Sequence, residues 1–329
     1  MDKIIGMGNA LVDVLARLED ETLLKQMELP KGSMQLIHTE RLEEINSVLA
    51  TMNPHLAAGG SAANTILGLA CLGASTGFIG KTGNDTYGQF FRRHLEAQGI
   101  ESHLFASPLP SGVASTFISP DGERTFATFL GAAADLKAEE LSLNLFKDYS
   151  YLFIEGYLVQ DHSMILRAIE LAKEAGLQVC LDLASYNIVE ADREFFISLV
   201  DKYVDILFAN EEEAKAFTHE AQPEQALDAL ARRCSIAVVK VGKQGAYVRK
   251  GTERLQVAAI PVEKVVDTTG AGDFFAAGFL YGLSYNQTLE RCAKMGALLA
   301  SEVIQTVGTT LDKNRWQHIK QRIADLQAE

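Results

Sequence analysis

The chain has 329 residues, 47% hydrophobic and 22% charged, with a formal net charge of −13. That is enough apolar material for a substantial core, in one large domain or two small ones. The acidic balance argues against a nucleic-acid backbone or an anionic membrane as partner. No apolar run reaches the roughly 18–20 residues that span a bilayer. The N-terminus, MDKIIGMGNALVDVLARL, lacks a signal peptide's long apolar core and small-residue cleavage site. Cys71, Cys180, Cys234 and Cys292 lie far apart without CxxC spacing, and read as free thiols, mostly buried. A reduced, soluble, cytoplasmic protein is expected.

In chain order, residues 3–8 (KIIGMG) read as a first strand ending in glycines. Residues 6–11 look like a dinucleotide fingerprint, but Leu11 stands where the third glycine belongs and no strand–helix unit follows in register. That reading is rejected. Asp13 is a lone acid in the apolar run ALVDVLA. It is either a functional carboxylate or the solvent-facing residue of an alternating strand. Residues 39–51 open with a capping-box pattern at Thr39 and continue with helical periodicity. The stretch AGGSAAN then leads into an apolar helix ending near Gly73, with Ser61 and Asn64 on one face. Gly80-Lys81-Thr82 resembles the end of a phosphate-binding P-loop, but that motif needs glycine at Ser75. Lys81 is therefore expected in a loop, before a helix that Asn84 or Asp85 caps and Gly99 stops.

Residues 112–130 change the pattern: GVASTFISP, the turn Asp121-Gly122, then ERTFATFL, a hairpin signal. A hairpin interrupting helix–strand alternation suggests a small sheet covering a site, with Arg124 just past the turn where it could come down on a phosphate. From residue 151 the runs YLFIEGY, VCLDL, DILFAN and IAVVKV read as buried parallel strands. Helical segments at about 161–175, 191–201, 210–217 and 223–233 separate them. The alternation implies a doubly wound α/β sheet with ligands at the carboxyl ends of its strands, where Glu155, Asp182 and Asn210 fall. The acids following Asn210 match a helix dipole; alternatively, Asn210 and Glu213 hold a hydrated Mg²⁺.

The most informative stretch is VVDTTGAGDFFAAGFLY, residues 265–281. A strand-like start passes through Gly270-Ala271-Gly272 into an apolar helix, and a glycine-opened helix start suits phosphate. The ionisable group at this helix start is Asp273. It could be a base that takes a proton from a hydroxyl attacking the phosphate, or simply a cap. Helices near 272–285, 287–304 and 313–327 close the chain, with Gly308 in the last loop.

The segments AGGSAANTILGLACLGASTGFIGKTGNDTYG and VVDTTGAGDFFAAGFL, in this order, resemble the ribokinase-like (PfkB) family of sugar and nucleoside kinases. The resemblance covers nearly the whole chain. It implies one three-layer α/β/α domain over residues 1–329, doubly wound and mostly parallel, with a small β-sheet lid contributed by about 11–37 and 104–130. It implies ATP and Mg²⁺ as cofactors, a monovalent cation such as K⁺ near Asp267 and Gly308, and a monomer or homodimer acting on a small molecule. Asp273 would be the base, the amides of Gly270, Ala271 and Gly272 the anion hole, and Arg124 a lid arginine on the phosphates. Asp13, Gly59, Gly60, Ser61, Asn64 and Glu155 would bind substrate. Asn210, Lys240, Gly242, Gly245, Thr269 and Gly308 would bind nucleotide, and Asn210 with Glu213 the magnesium, through water. Within the family, Gly59-Gly60-Ser61 with Asn64, and residues 8–13, GNALVD, are similar to adenosine kinases. The expected activity is phosphorylation of adenosine at its 5′-hydroxyl; a free sugar such as fructose or ribose is the alternative. Phe117, Phe129 and Tyr157 are the candidates to stack on a base.

Overall fold

The apolar runs lie in a sheet that has a hydrophobic cluster on either face. The computed structural model describes residues 2–121 and 123–328. Among them are fourteen strands: β1 (Ile4–Met7), β2 (Leu11–Arg17), β3 (Met34–Leu36), β4 (His55–Gly59), β5 (Thr76–Gly83), β6 (Glu101–Ser107), β7 (Gly112–Ile118), β8 (Arg124–Phe129), β9 (Tyr151–Glu155), β10 (Gln178–Asp182), β11 (Ile206–Asn210), β12 (Ile236–Lys240), β13 (Ala246–Lys250) and β14 (Glu253–Val257). Nine form the large sheet in the order β14-β13-β12-β11-β10-β9-β1-β5-β6. Neighbours from β6 to β12 run parallel, and β13 and β14 close one edge antiparallel. Because the pleat has period two, Tyr151 and Phe153 of β9 join one cluster, while Leu152 and Ile154 join the other. Helices Ser61–Leu72, Ala271–Ser284 and Leu289–Val303 cover the first face; His162–Glu174, Arg193–Tyr203 and Glu211–Thr218 cover the second. This is a three-layer, ribokinase-like α/β/α arrangement. Strand order reverses around β1, so the crevice beyond its carboxyl end is the natural ligand site.

Five strands make the small sheet, in the order β3-β8-β7-β2-β4. Strands β7 and β8 are the expected hairpin, with Ile118 opposite Arg124; its turn residue Gly122 lies outside the described residues. The lid differs from expectation at two places. Residues 101–107, partly assigned to it, are β6, which pairs in parallel with β5 at the edge of the large sheet. A helix, Thr86–Ala97, separates β5 from β6, making a β–α–β unit that returns the chain to the same sheet. Conversely β4 joins the small sheet antiparallel to β2; its sequence, HLAAG, carries little strand propensity.

Two local expectations also change, and one alternative is resolved. Lys81 lies within β5, not in a loop, and its buried ammonium pairs with Glu140 at 2.8 Å and Asp135 at 3.3 Å. Thr39 is the first helical residue; His38 precedes it with no side-chain cap. Asp85, rather than Asn84, caps its helix, accepting a hydrogen bond from the Gly88 N–H at 2.8 Å. The β13–β14 hairpin and the short helices Thr22–Gln26 and Tyr186–Ala191 were not anticipated. All four cysteines are free; Cys180 and Cys292 are buried and Cys71 and Cys234 half-buried. No helix among the described residues is long and apolar enough to cross a membrane.

Candidate active site

Two glycine-opened helices meet at the centre of the crevice. Gly60 (φ 99°) precedes Ser61–Leu72 and Gly270 (φ 76°) precedes Ala271–Ser284. Both conformations lie in the region that favours glycine. The space is also taken: a Cβ on Gly60 would lie 2.2 Å from the Asn9 carbonyl oxygen, and one on Gly270 2.5 Å from Thr309 Cγ2. Asp273 is the third residue of its helix, and the cap position belongs to Gly270. Its carboxylate is not turned onto its own helix start, as a cap would be. Oδ1 accepts from Ser61 Oγ at 2.7 Å and Oδ2 from Asn64 Nδ2 at 2.9 Å. Burial pushes the Asp273 carboxyl up to about 6, opposed by those two hydrogen bonds and by Lys240, with Asp182 adding to the rise. The Ala271 N–H donates to the Thr268 carbonyl at 3.2 Å, so it belongs to the turn. Gly270 and Gly272 are the expected anion-hole donors still available at this helix start.

On the small-sheet side, Asp13 of β2 faces Arg124, Asp273 and Asp267. Burial raises its carboxyl to about 7, with Arg124 pulling the other way. Gly59 makes room for it: a Cβ there would lie 2.5 Å from Asp13 Oδ1. Asn64 is 5% exposed, and its Oδ1 is buried without a hydrogen-bond partner. Arg124 reaches from β8 to the turn, where Nη1 donates to Thr269 Oγ1 at 3.1 Å and Nη2 pairs with Asp267 at 2.5 Å. Asp267 also accepts from the backbone N–H groups of Thr269 (3.1 Å) and Gly308 (2.7 Å). Thr269 and Gly308, expected on the nucleotide, are thus engaged around Asp267. Asp267, near which the monovalent cation is expected, is paired with the Arg124 guanidinium.

Glu155 departs from its expected place among the substrate contacts. It is 1% exposed and sits behind the crevice floor. Its Oε1 accepts from Asn9 N and Nδ2 at 2.9 and 2.8 Å, and its Oε2 from Ala62 N at 2.7 Å. Burial lifts its carboxyl to about 7 against those bonds. It ties the end of β9 to the loop after β1 and to the helix start that carries Ser61. Phe117 and Phe129 are likewise core residues, 0% and 7% exposed; of the three aromatic candidates only Tyr157 lines the cleft.

On the other side of the Gly270–Gly272 turn opens a cleft of about 1390 Å³, lined by Asn210, Lys240, Gly242, Gly245 and Gly272 among others. Asn210 caps the Glu211–Thr218 helix, with Glu213 closing a reciprocal box. The Asn210 N–H donates to Glu213 Oε2 at 2.8 Å, Asn210 Nδ2 donates to Oε1 at 2.6 Å, and the Glu213 N–H donates to Asn210 Oδ1 at 2.8 Å. Burial raises the Glu213 carboxyl, with Asp182 adding to the rise. Lys240, at the end of β12, donates to Asp182 Oδ2 of β10 at 2.7 Å, across the intervening β11. This pair was not anticipated, although both residues terminate apolar strands. Among the described residues no group of three or more His, Cys, Asp or Glu is placed to hold a metal directly. The Asn210–Glu213 box fits a magnesium held on phosphates, reached through water by lone pairs the box leaves free.

A cleft at the carboxyl ends of parallel strands, a glycine-opened helix start and a carboxylate beside it define a phosphotransferase. Residues 32–316 match the description "pfkB family carbohydrate kinase", and the chain belongs to that family. It is similar to the solved structure of a probable sugar kinase from Rhizobium etli CFN 42, with 35% identity over 99% of each chain and a TM-score of 0.88. It is similar also to the adenosine kinase from Sinorhizobium meliloti, with 34% identity over 98% of this chain and 99% of that one and a TM-score of 0.87. Adenosine kinase 2 of Arabidopsis thaliana is 27% identical over 334 residues, 93% of this chain and 95% of its own length.

Proposed function

We propose that the protein is an ATP- and Mg²⁺-dependent kinase of the adenosine 5′-hydroxyl. The observation that carries this reading is the Asp273 carboxylate, held by Ser61 and Asn64 at 2.7 and 2.9 Å beside the Gly270–Gly272 turn. Phosphoryl transfer asks for positioning and charge stabilisation more than for covalent participation by the protein. In the reaction the nucleoside oxygen bonds to the γ-phosphorus, the bond from that phosphorus to the β,γ-bridging oxygen breaks, and Asp273 takes the hydroxyl proton. AMP and ADP are the products. The Gly270 and Gly272 amides face the charge that builds on the transferring group. Asp13 and the unpartnered Asn64 Oδ1 are acceptors suited to ribose hydroxyls. When bound, magnesium neutralises the phosphate oxygens; Asn210 and Glu213 would hold its water shell.

Adenosine is favoured by the likeness to two proteins named adenosine kinase, one of them 34% identical. The likeness to a probable sugar kinase, at 35% identity, favours a free sugar's primary hydroxyl as the second reading. Burial of Phe117 and Phe129 removes two of the aromatic side chains that would grip a base, and so also leans toward the sugar. A coupled ADP-release assay across nucleosides and sugars separates them. Adenosine should give the highest kcat/KM. A higher value for fructose or ribose selects the second reading, and no ADP release with any acceptor removes both.

A further inference from the structure

We propose that Lys240 is a catalytic residue whose ammonium lies on the transferring phosphoryl group, and that Asp182 is the positioning residue that holds it there. This rests on the kinase reading above and goes beyond assigning Lys240 to the nucleotide side of the cleft. The decisive contact is with the helix start itself: a Cβ on Gly272 would lie 3.0 Å from Lys240 Nζ. The absent side chain is therefore the space through which the ammonium approaches the amides that receive the phosphoryl group. The ammonium, carried by β12 and held from β10 by Asp182, thus stands beside the Gly272 backbone.

The charge around this ammonium is one-sided. It faces the carboxylates of Asp182, Glu213 and Asp273, and the side chains of Lys240 and Asp182 are only 15% and 6% exposed. Burial works against the ammonium, but the carboxylates outweigh it and hold its pKa above the usual lysine value, so it stays charged. An ammonium has three donors. One goes to Asp182; Lys240 and Asp182 both line the cleft, so the remaining donors serve a ligand there. Arg124 is engaged by Asp267 and Thr269 on the opposite side of the turn; Lys215 and Lys243 also line the cleft, but it is Lys240 whose ammonium a Cβ on Gly272 would meet. A triphosphate entering a cleft that holds Asp182, Glu213 and Asp273 needs a fixed positive charge, and Lys240 supplies it.

The bland alternative is that Lys240 only neutralises Asp182 in the interior. Lys240→Met alone cannot separate the two, because it leaves a buried carboxylate unpaired. The test is the double variant Lys240→Met/Asp182→Asn, read by thermal melting, by steady-state kinetics with the acceptor the wild type uses, and by calorimetric binding of ADP and a non-hydrolysable ATP analogue. The expected result is melting restored toward wild type, with kcat still down by about 10²–10³, the size of one lost charge-stabilising donor. Affinity for the ATP analogue should fall while that for ADP holds. Recovery of kcat together with melting, or equal weakening of ADP and the analogue, overturns the proposal. If the double variant does not fold, Lys240→Gln, which keeps a donor toward Asp182, is read by the same measurements. Absence of ADP release by the wild type with every acceptor would instead remove the kinase reading.

Discussion

The hydrogen bond from Ser61 to Asp273 makes the general-base assignment quantitative. Asp273 sits at about 6 in the free protein, and the 2.7 Å bond from Ser61 stabilises its ionised form. Hydrogen bonds to charged groups contribute about 1.5–3 kcal/mol, or roughly one to two pKa units at 1.36 kcal/mol each. Ser61 is half-buried, so water replaces part of the loss and the low end applies. Ser61→Ala therefore raises the Asp273 pKa by about one unit. A base works only when deprotonated, so activity falls as pH drops through the pKa, and the variant's acid limb moves to higher pH. With the limb displaced from about 6 by one unit, kcat/KM drops about fivefold at pH 6 and hardly at all at pH 9. The assay is ADP release from pH 5 to 9 with both substrates below saturation, where kcat/KM reports the free protein. Asp13 and Glu155 are also raised to about 7, and Glu213 is raised too. The Ser61 hydroxyl donates to none of these, so the displacement belongs to Asp273. An equal drop at every pH refutes the reasoning. As a companion, Asp273→Asn should cost about 10²–10⁴ in kcat with calorimetric binding of the acceptor retained; near wild-type turnover would take Asp273 out of the proton's path.

Three other substitutions test the surrounding frame. Arg124→Ala leaves Asp267, 7% exposed, without its guanidinium, at about 3–5 kcal/mol for a broken buried pair. Melting should fall with the loss of the pair; unchanged melting would show that Arg124 does not hold Asp267 and the turn. Glu155→Gln disturbs three accepted hydrogen bonds, with a cost of about 1–3 kcal/mol for each donor left unmet. Its signature is a lower melting temperature with unchanged acceptor KM, and the reverse pattern would return Glu155 to the substrate. Gly270→Ala combines about 1–2 kcal/mol of left-handed backbone strain with the approach to Thr309. Melting and kcat should both drop, and adding Thr309→Ser should recover part of each by removing the Cγ2. Unchanged melting in the single variant would contradict the φ of 76°.

Much of this architecture was legible in the chain. The alternating apolar strands and amphipathic helices announced a doubly wound sheet, because both signals are periodic and local. The glycine turn before Asp273 announced a glycine-opened helix start, since glycine favours that backbone and leaves room for the close approach of Thr309. What remained hidden depends on contacts between segments distant in sequence. Ser61 and Asn64 meet Asp273 across more than two hundred residues, and that meeting distinguishes the carboxylate from a helix cap. Glu155 carries the same strand-end signature as Asp182 and Asn210, yet one is a buried anchor and the others line the cleft. Lys240 and Asp182 come together across an intervening strand, which no local pattern encodes. Periodicity settled which elements form; the burial and pairing of each charge, and so its chemistry, were decided only when the sheet brought those elements together.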